Sequence, residues 1–239
     1  MKIIKHNKIY DGKSKKLYET NDSNILILQF KETMSKCNGK YIKKFVKKDI
    51  INNKFSYFIM NLLSKNNVKT HIISLLSENQ TLVKNLNMFP IECVMRNYAA
   101  GSIVKRLKIK DKSFLKPPVF EIYLKNDDLG DPLINDSHCI TFNLISKIHL
   151  ENIKKIINQV NHILKKLFYK AELILVDFKL EFGLFNNVLT LGDEFSLDSS
   201  RIWEKNTFKT MDKDIFRNNL NFDIIRCYQK VAKKIGCDL

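Results

Sequence analysis

At 239 residues the chain is long enough to bury a large core, as one large domain or two closely packed lobes. Its formal charge of +16 raises a nucleic-acid partner, yet of 41 basic residues only Arg96, Arg106, Arg201, Arg217 and Arg226 are arginine, the residue whose planar fork reads bases and phosphates. Lysine scattered over every helix face beside asparagine and isoleucine reads as compositional drift, so no nucleic-acid partner is expected, and with no apolar run of about 18 residues no membrane-spanning helix is expected either.

The predicted elements follow in chain order. Ile3–Tyr18 reads as a strand, a glycine turn and the start of a second strand, Lys15–Thr20, with a third at Ile25–Phe30. Residues 48–64 have helical spacing, with Ile50, Ile51, Phe55, Phe58, Ile59 and Leu62 on one stripe. Val68–Leu76, Thr81–Asn85 and Pro90–Arg96 read as strands, Ala99–Lys108 starts a helix, and Val119–Leu124 is a further strand. Leu150–Phe168 is an amphipathic helix carrying Ile153, Ile156, Ile157, Val160, Ile163, Leu164 and Leu167. A strand at Leu173–Phe182 and a hairpin partner at Val188–Phe195 come next, and Asp214–Ile235 reads as one last amphipathic helix. Strands in meanders with helices inserted between them predict an α+β fold.

The N-terminus, MKIIKHNKIYDGKSKK, is too polar for a signal peptide. The five cysteines are odd in number and lack metal-type spacing, which fits reduced thiols in the cytoplasm. Six of only seven glycines sit in polar clusters, where backbone must turn or approach a ligand.

The strand at Leu173–Phe182 carries the strongest chemical signal. Alternation puts Val176, Phe178, Leu180 and Phe182 on one face and Asp177, Lys179 and Glu181 on the other. Charge in a strand flanked by Leu173, Ile174 and Leu175 points to a site for metal and phosphate. A two-residue turn at Asn186-Asn187 would put Asp193 on the wrong face. A three-residue loop, Phe185–Asn187, pairs Lys179 with Asp193 and brings Asp193 to the face of Glu181, where two carboxylates suit magnesium.

Other clusters surround this one. Asp11-Gly12-Lys13-Ser14-Lys15-Lys16 reads as a loop over a polyphosphate or, equally, as a solvated basic hairpin. Glu92, Val94 and Arg96 share a strand face, and Gly101-Ser102 opens a helix, an arrangement that suits a single phosphate or a structural arginine with a serine cap. Lys125–His138 packs Asp127, Asp128, Asp131 and Asp136 into one loop, either around magnesium-linked groups or a substrate amine or as a solvated turn; His138 is given no role. Arg201 and Ser199 or Ser200 offer another anion contact.

These segments together resemble the phosphoribosylaminoimidazole-succinocarboxamide synthase (SAICAR synthetase) family. The resemblance runs nearly end to end and is carried by YDGKSKKLYET, FPIECVMRNYAAGS, LVDFKLEFG and GDEFSLDSSRIW. It implies a fold related to ATP-grasp enzymes, with a β-rich nucleotide-covering lobe at 1–85 over a larger α+β lobe at 86–239. It implies an ATP-dependent ligase of purine biosynthesis that joins L-aspartate to the carboxylate of carboxyaminoimidazole ribonucleotide (CAIR) through an acyl phosphate, with Mg2+, in a cytoplasmic homo-oligomer. By the same resemblance Lys13, Ser14, Lys15 and Lys125 contact the nucleotide. Glu181 and Asp193 hold magnesium. Arg96, Ser102 and Arg201 take the ribonucleotide phosphate, Asp131 helps place substrate, and Asp177 and Lys179 face the reacting carboxylate. The Cys37–Lys40 turn is a candidate wall for aspartate. One departure is that Glu32-Thr33 stands where the family often has two acids.

The different-class alternative is a basic RNA-binding protein, and the same-class one is a small-molecule kinase. The H-R-D and D-F-G patterns of protein kinases are missing.

Overall fold

The structure, a computed structural model, describes residues 2–36, 39–219 and 223–239. The chain opens with β1 (Lys5–Asp11), β2 (Lys15–Thr20) and β3 (Ile25–Phe30), as the sequence predicts. The short hairpin β4 (Thr33–Lys36) and β5 (Tyr41–Lys44), then helix α1 (Lys48–Lys65), interrupt the sheet. β6 (Ile72–Ser77) and β7 (Gln80–Lys84) return to it, giving an antiparallel sheet in the order β1-β2-β3-β7-β6. Leu26, Leu28, Phe30 and Val83 form its own small core with Leu17.

The second sheet comprises β8 (Asn87–Met88), β9 (Ile91–Tyr98), β10 (Phe114–Leu124), β11 (Leu133–Ile134), β12 (Leu173–Phe185), β13 (Val188–Gly192) and β14 (Ser200–Glu204). Helix α2 (Ser102–Leu107) follows β9; α3 (Asp136–Thr141) and α4 (Lys147–Lys170) separate β11 from β12; α5 (Asp214–Arg217) and α6 (Ile224–Lys234) close the chain. At thirteen residues β12 is the spine. One edge takes β9 and then β8, and the other takes β14 and then β13. The main core gathers Phe55, Ile59 and Leu63 of α1, Ile153, Ile157, Leu164 and Phe168 of α4, Phe178, Leu180 and Phe182 of β12, and Tyr228 and Val231 of α6. The fold is α+β, as its sequence pattern predicts.

Several expectations need correction. The turn at Asn186-Asn187 has two residues, not three: Phe185 pairs with Val188, and both asparagines adopt positive φ (48° and 62°), the geometry of a type I′ hairpin. Strand β13 ends at Gly192, before Asp193. Val176 does not share the core face of Phe178. The register with β14 shifts between Leu175 and Asp177, and Val176 packs with Ala100 and Trp203 in a separate cluster. The predicted tail helix is two helices, α5 and α6, the second capped by the Asp223 side chain at Arg226 N. The region after Ala99 is helical only over Ser102–Leu107.

Helix α1 buries a face broader than the predicted stripe and shifted from it, because it touches β3, β6 and β7 as well as α6; Ile50, Phe58 and Leu62 are only partly buried. Its polar residues Lys48, Asn52 and Ser56, at i, i+4 and i+8, are buried too. Lys48 Nζ reaches Asp198 at 2.7 Å and Ser56 Oγ accepts from Phe195 N, so this row braces the segment that follows β13.

Candidate functional site

A cavity of about 1130 Å³ opens between the two sheets and is lined from both. Lys13, Ser14 and Lys15 come from the β1–β2 turn, Arg96 from β9, Asp177, Lys179 and Glu181 from β12, and Asp193 from the chain beyond β13. Lys125 and Asp131 come from the loop after β10, and Arg201 from β14. A drug-sized pocket is about 300–1,000 Å³, so this space suits more than one substrate.

One end is a lattice of lysines and carboxylates. Glu181 Oε1 accepts from Lys179 at 2.7 Å, Glu181 Oε2 accepts from Lys125, and Lys179 also donates to Glu92 at 2.7 Å. Lys15 donates to Asp193 Oδ1 and lies 2.9 Å from Glu194 Oε1. Ser14 Oγ is 3.1 Å from the same Glu194 oxygen, and Lys13 pairs with Asp127 at 2.6 Å. Asp193 gets here by a turn in the backbone: its φ is +56°, which swings it off the hairpin line. The predicted loop length differs from the observed one, yet Asp193 and Glu181 line the same cavity.

Electrostatics tie the cluster together. Burial opposes charge on Lys15, but Asp193, Glu194 and Glu181 outweigh it and hold the ammonium above its ordinary pKa. Burial likewise pushes Asp193 up, and Lys15, Lys179 and Lys125 overcome that and hold it well below the carboxylate range. Lys179 stays protonated against burial because Glu181, Asp193 and Glu92 surround it. Lys15, Asp193 and Lys179 keep their charges across neutral pH.

The other end is an arginine bracket. Asp177 lies between Arg96 of β9 and Arg201 of β14, its register partners on opposite edges of β12. Its Oδ2 accepts from both guanidinium groups at 2.8 Å. Arg96, 3% exposed, also donates to Glu121 at 2.7 Å, Ser102 Oγ at 3.1 Å and Tyr123 at 3.2 Å. Arg201 Nε donates to Asp214 at 2.7 Å.

Comparison with known proteins decides the family. The SAICAR synthetase family model matches residues 8–235. A phosphoribosylaminoimidazole-succinocarboxamide synthase of Wigglesworthia glossinidia brevipalpis is 65% identical over 237 residues, covering 99% of each chain. The chain belongs to the SAICAR synthetase family. Among solved structures similar to this family member, the phosphoribosylaminoimidazole-succinocarboxamide synthase from Ehrlichia chaffeensis has a TM-score of 0.95 at 40% identity, covering 98% of this chain and 100% of that one. A SAICAR synthetase (Type-2) in complex with ADP has a TM-score of 0.92 at 38% identity, covering 96% of this chain and 97% of that one.

Most residues expected at the site of this family member line the same cavity; Ser102 does not, and reaches it only through Arg96. Asp131 Oδ1 accepts from Asn126 N at 2.9 Å and closes its loop. The Ser199 and Ser200 hydroxyls turn to the main chain of Ser196. His138 completes a capping box with Asn135 at the start of α3. Of the Cys37–Lys40 turn, Cys37 and Asn38 lie outside the described residues, and Gly39 lines the cavity.

Glu194, 4% exposed, was missed, although it adjoins Asp193 and its Oε2 has no hydrogen-bond partner among the described residues. Glu92, although its strand face was noted, was not singled out as a site residue. Lys213 and Asp214 were also missed; nothing local marks Lys213, and Asp214 reads only as the start of the tail helix.

Proposed function

We infer that the protein is the ATP-dependent ligase that joins L-aspartate to the carboxylate of CAIR, yielding SAICAR, ADP and phosphate in purine biosynthesis. Full-length identity of 65% to a synthase of that name carries the reading. The cavity supports it, with a lysine–carboxylate end for polyphosphate and metal and an arginine end for a single phosphate.

The donor set fits magnesium. Glu181 and Asp193 supply hard oxygens, and Glu194 adds a buried oxygen with no hydrogen-bond partner among the described residues. Among the described residues these side chains do not form a ready group of three or more metal ligands, so the ion would take few protein carboxylates and complete its shell with water and phosphate. When bound, magnesium would neutralise charge shared between these carboxylates and the nucleotide phosphates.

The chain's own residues then have defined tasks. Lys13, Ser14, Lys15 and Lys125 hold the triphosphate; Arg96 and Arg201 hold the ribonucleotide phosphate, with the Ser102 hydroxyl steadying Arg96 and Asp131 helping to place substrate. Lys179, cationic between Glu181 and Glu92, meets the charge that develops as a CAIR carboxylate oxygen attacks the γ-phosphorus and ADP leaves. Asp177 faces the same carboxylate and aligns the two arginines. The aspartate amine then attacks the acyl carbon, loses a proton and expels phosphate. Catalysis is mainly positioning and charge neutralisation.

We further propose that residues 1–85 and 86–239 act as two lobes; the first sheet ends at Lys84 and the second begins at Asn87. Among the described residues no helix is long and apolar enough to cross a membrane. A cytoplasmic homo-oligomer is the proposed state, supported by exposed Ile73, Leu75 and Leu76 on edge strand β6.

The test is substrate dependence. ADP release is expected only with CAIR and aspartate both present; steady turnover without aspartate would sink the reading.

A further inference from the structure

Beside the arginine bracket, the cavity runs between the β4–β5 hairpin and α5. Thr33, Met34, Ser35, Gly39 and Ile42 line one wall, and Lys213 and Arg217 the other. The two walls are tied together: Phe45 meets Phe216 edge-on at 5.6 Å, and Lys36 Nζ bonds to Asn219 Oδ1. Lys213 is fixed by its own backbone N–H, which donates to Leu197 O at 3.2 Å.

Lys213 differs from every other basic residue lining this cavity. Lys13, Lys15, Lys31, Arg96, Lys125, Lys179, Arg201 and Arg217 each pair with a protein carboxylate, and Lys84 donates to the Thr70 carbonyl. The Lys213 ammonium has no hydrogen-bond or ion-pair partner among the described residues. Asp198, the carboxylate that acts on it most, is already taken by Lys48 at 2.7 Å and Tyr228 at 2.8 Å. Burial lowers the Lys213 pKa for want of that partner. A half-buried cation facing open cavity without a counterion is costly unless a ligand brings one.

We propose that Lys213, with Arg217 one turn further on, anchors a carboxylate of the amino-acid substrate. This rests on the ligase reading and deepens it. The amine has to reach the acyl carbon between the nucleotide end and the ribonucleotide end. Lys213 is placed for that, acted on by Glu194 from the first end and standing beside Asp214, the partner of Arg201, at the second. A dicarboxylate suits two cations one helical turn apart. The side chain is a positioning residue, since it touches no reacting atom.

The experiment is steady-state kinetics on the full chain with Lys213→Met and Lys213→Arg. In Lys213→Met the KM for aspartate rises about tenfold or more, the loss of one charge-assisted contact, while the KM values for CAIR and ATP stay within about twofold. Inhibition by succinate, which keeps both carboxylates and lacks the amine, weakens in parallel. Lys213→Arg recovers part of the aspartate affinity. Because Met replaces an unpaired charge, the melting temperature holds or rises. A rise in KM for CAIR instead would assign the lysine to the ribonucleotide phosphate and overturn the proposal. Unchanged KM values with a lower melting temperature would overturn it in favour of a structural role. Wild-type turnover without aspartate would overturn the ligase reading, and this proposal with it.

Discussion

Gly101 and Arg201 are in contact through a missing side chain: a Cβ built on Gly101 would stand 2.4 Å from Arg201 Nη2. Gly101 also takes φ +67° and ψ −127°, a conformation open essentially to glycine alone. The flat guanidinium lies against bare backbone, and that fixes where its unpaired edge points. Gly101→Ala is therefore expected to cost about 1–3 kcal/mol in backbone strain and to push Arg201 aside. Kinetics should show a raised KM for CAIR with the KM for ATP little changed. Equal loss of both would count against Arg201 as a ribonucleotide contact.

The double use of Asp177 Oδ2 makes a second prediction. Asp177→Asn takes the shared carboxylate from buried Arg96 and half-buried Arg201, each of which keeps one other carboxylate, Glu121 or Asp214, so the cost is about 1–3 kcal/mol. Chemical denaturation should register that loss, and the KM for CAIR should rise as both arginines relax. A fall in kcat alone, at unchanged stability and KM, would show that Asp177 acts on the reacting carboxylate without bracing the arginines.

The chemistry of this site was legible where residues close in sequence shared a strand face. Asp177, Lys179 and Glu181 could be grouped on paper because alternation forces it. The Val176 bulge escaped, since nothing in ELILVDF marks an extra residue. Strands of two to five residues, such as β4, β5, β8 and β14, hold too few positions to show a period. The Lys48–Asp198–Tyr228 group joins three distant segments and has no local signature. The hairpin register differs from expectation for a specific reason: the expected register moves Asp193 by loop length, whereas the chain moves it with one left-handed residue.

The lysine–carboxylate lattice predicts how loss of a metal ligand would look. In Glu181→Gln the amide oxygen still accepts one lysine, and Lys179 keeps Glu92, so the fold survives. Turnover is expected to fall about a hundredfold or more, because the group that offsets phosphate charge is lost. Asp193→Asn should behave alike. Magnesium titrations of each variant, followed by ADP release and by circular dichroism, check both halves; near-normal activity in either variant would remove that residue from the metal site.

Asp198 gives a pH signature. Burial raises its pKa, but Lys48, Lys213 and Tyr228 outweigh this and bring it to about 2, below the ordinary aspartate value of 3.8. A depressed carboxylate stabilises the fold above its unfolded pKa and loses that contribution as pH falls through the folded value. The window is therefore about pH 4 to 2, and the contribution is about 2 kcal/mol. Asp198→Asn should lower stability at pH 7 and flatten the acid limb of the curve in that window. Denaturant midpoints at successive pH values measure it, and an unchanged limb would show that other carboxylates govern acid unfolding.

The Asn186-Asn187 turn predicts a gain. Both residues hold positive φ, which a type I′ turn demands and which asparagine tolerates at a cost glycine does not bear. Asn187→Gly makes the favoured Asn-Gly pair and is expected to add up to about 1 kcal/mol, offset in part by the freedom glycine regains when unfolded. Asn187→Val, β-branched at φ +62°, should lose more than that. The comparison separates the turn from the site, because the hairpin tip lies away from the cavity lining and turnover per folded molecule should not change. If Asn187→Val matched wild-type stability, the loop would have to be able to adopt the three-residue form, and the placement of Asp193 would then rest on loop length after all.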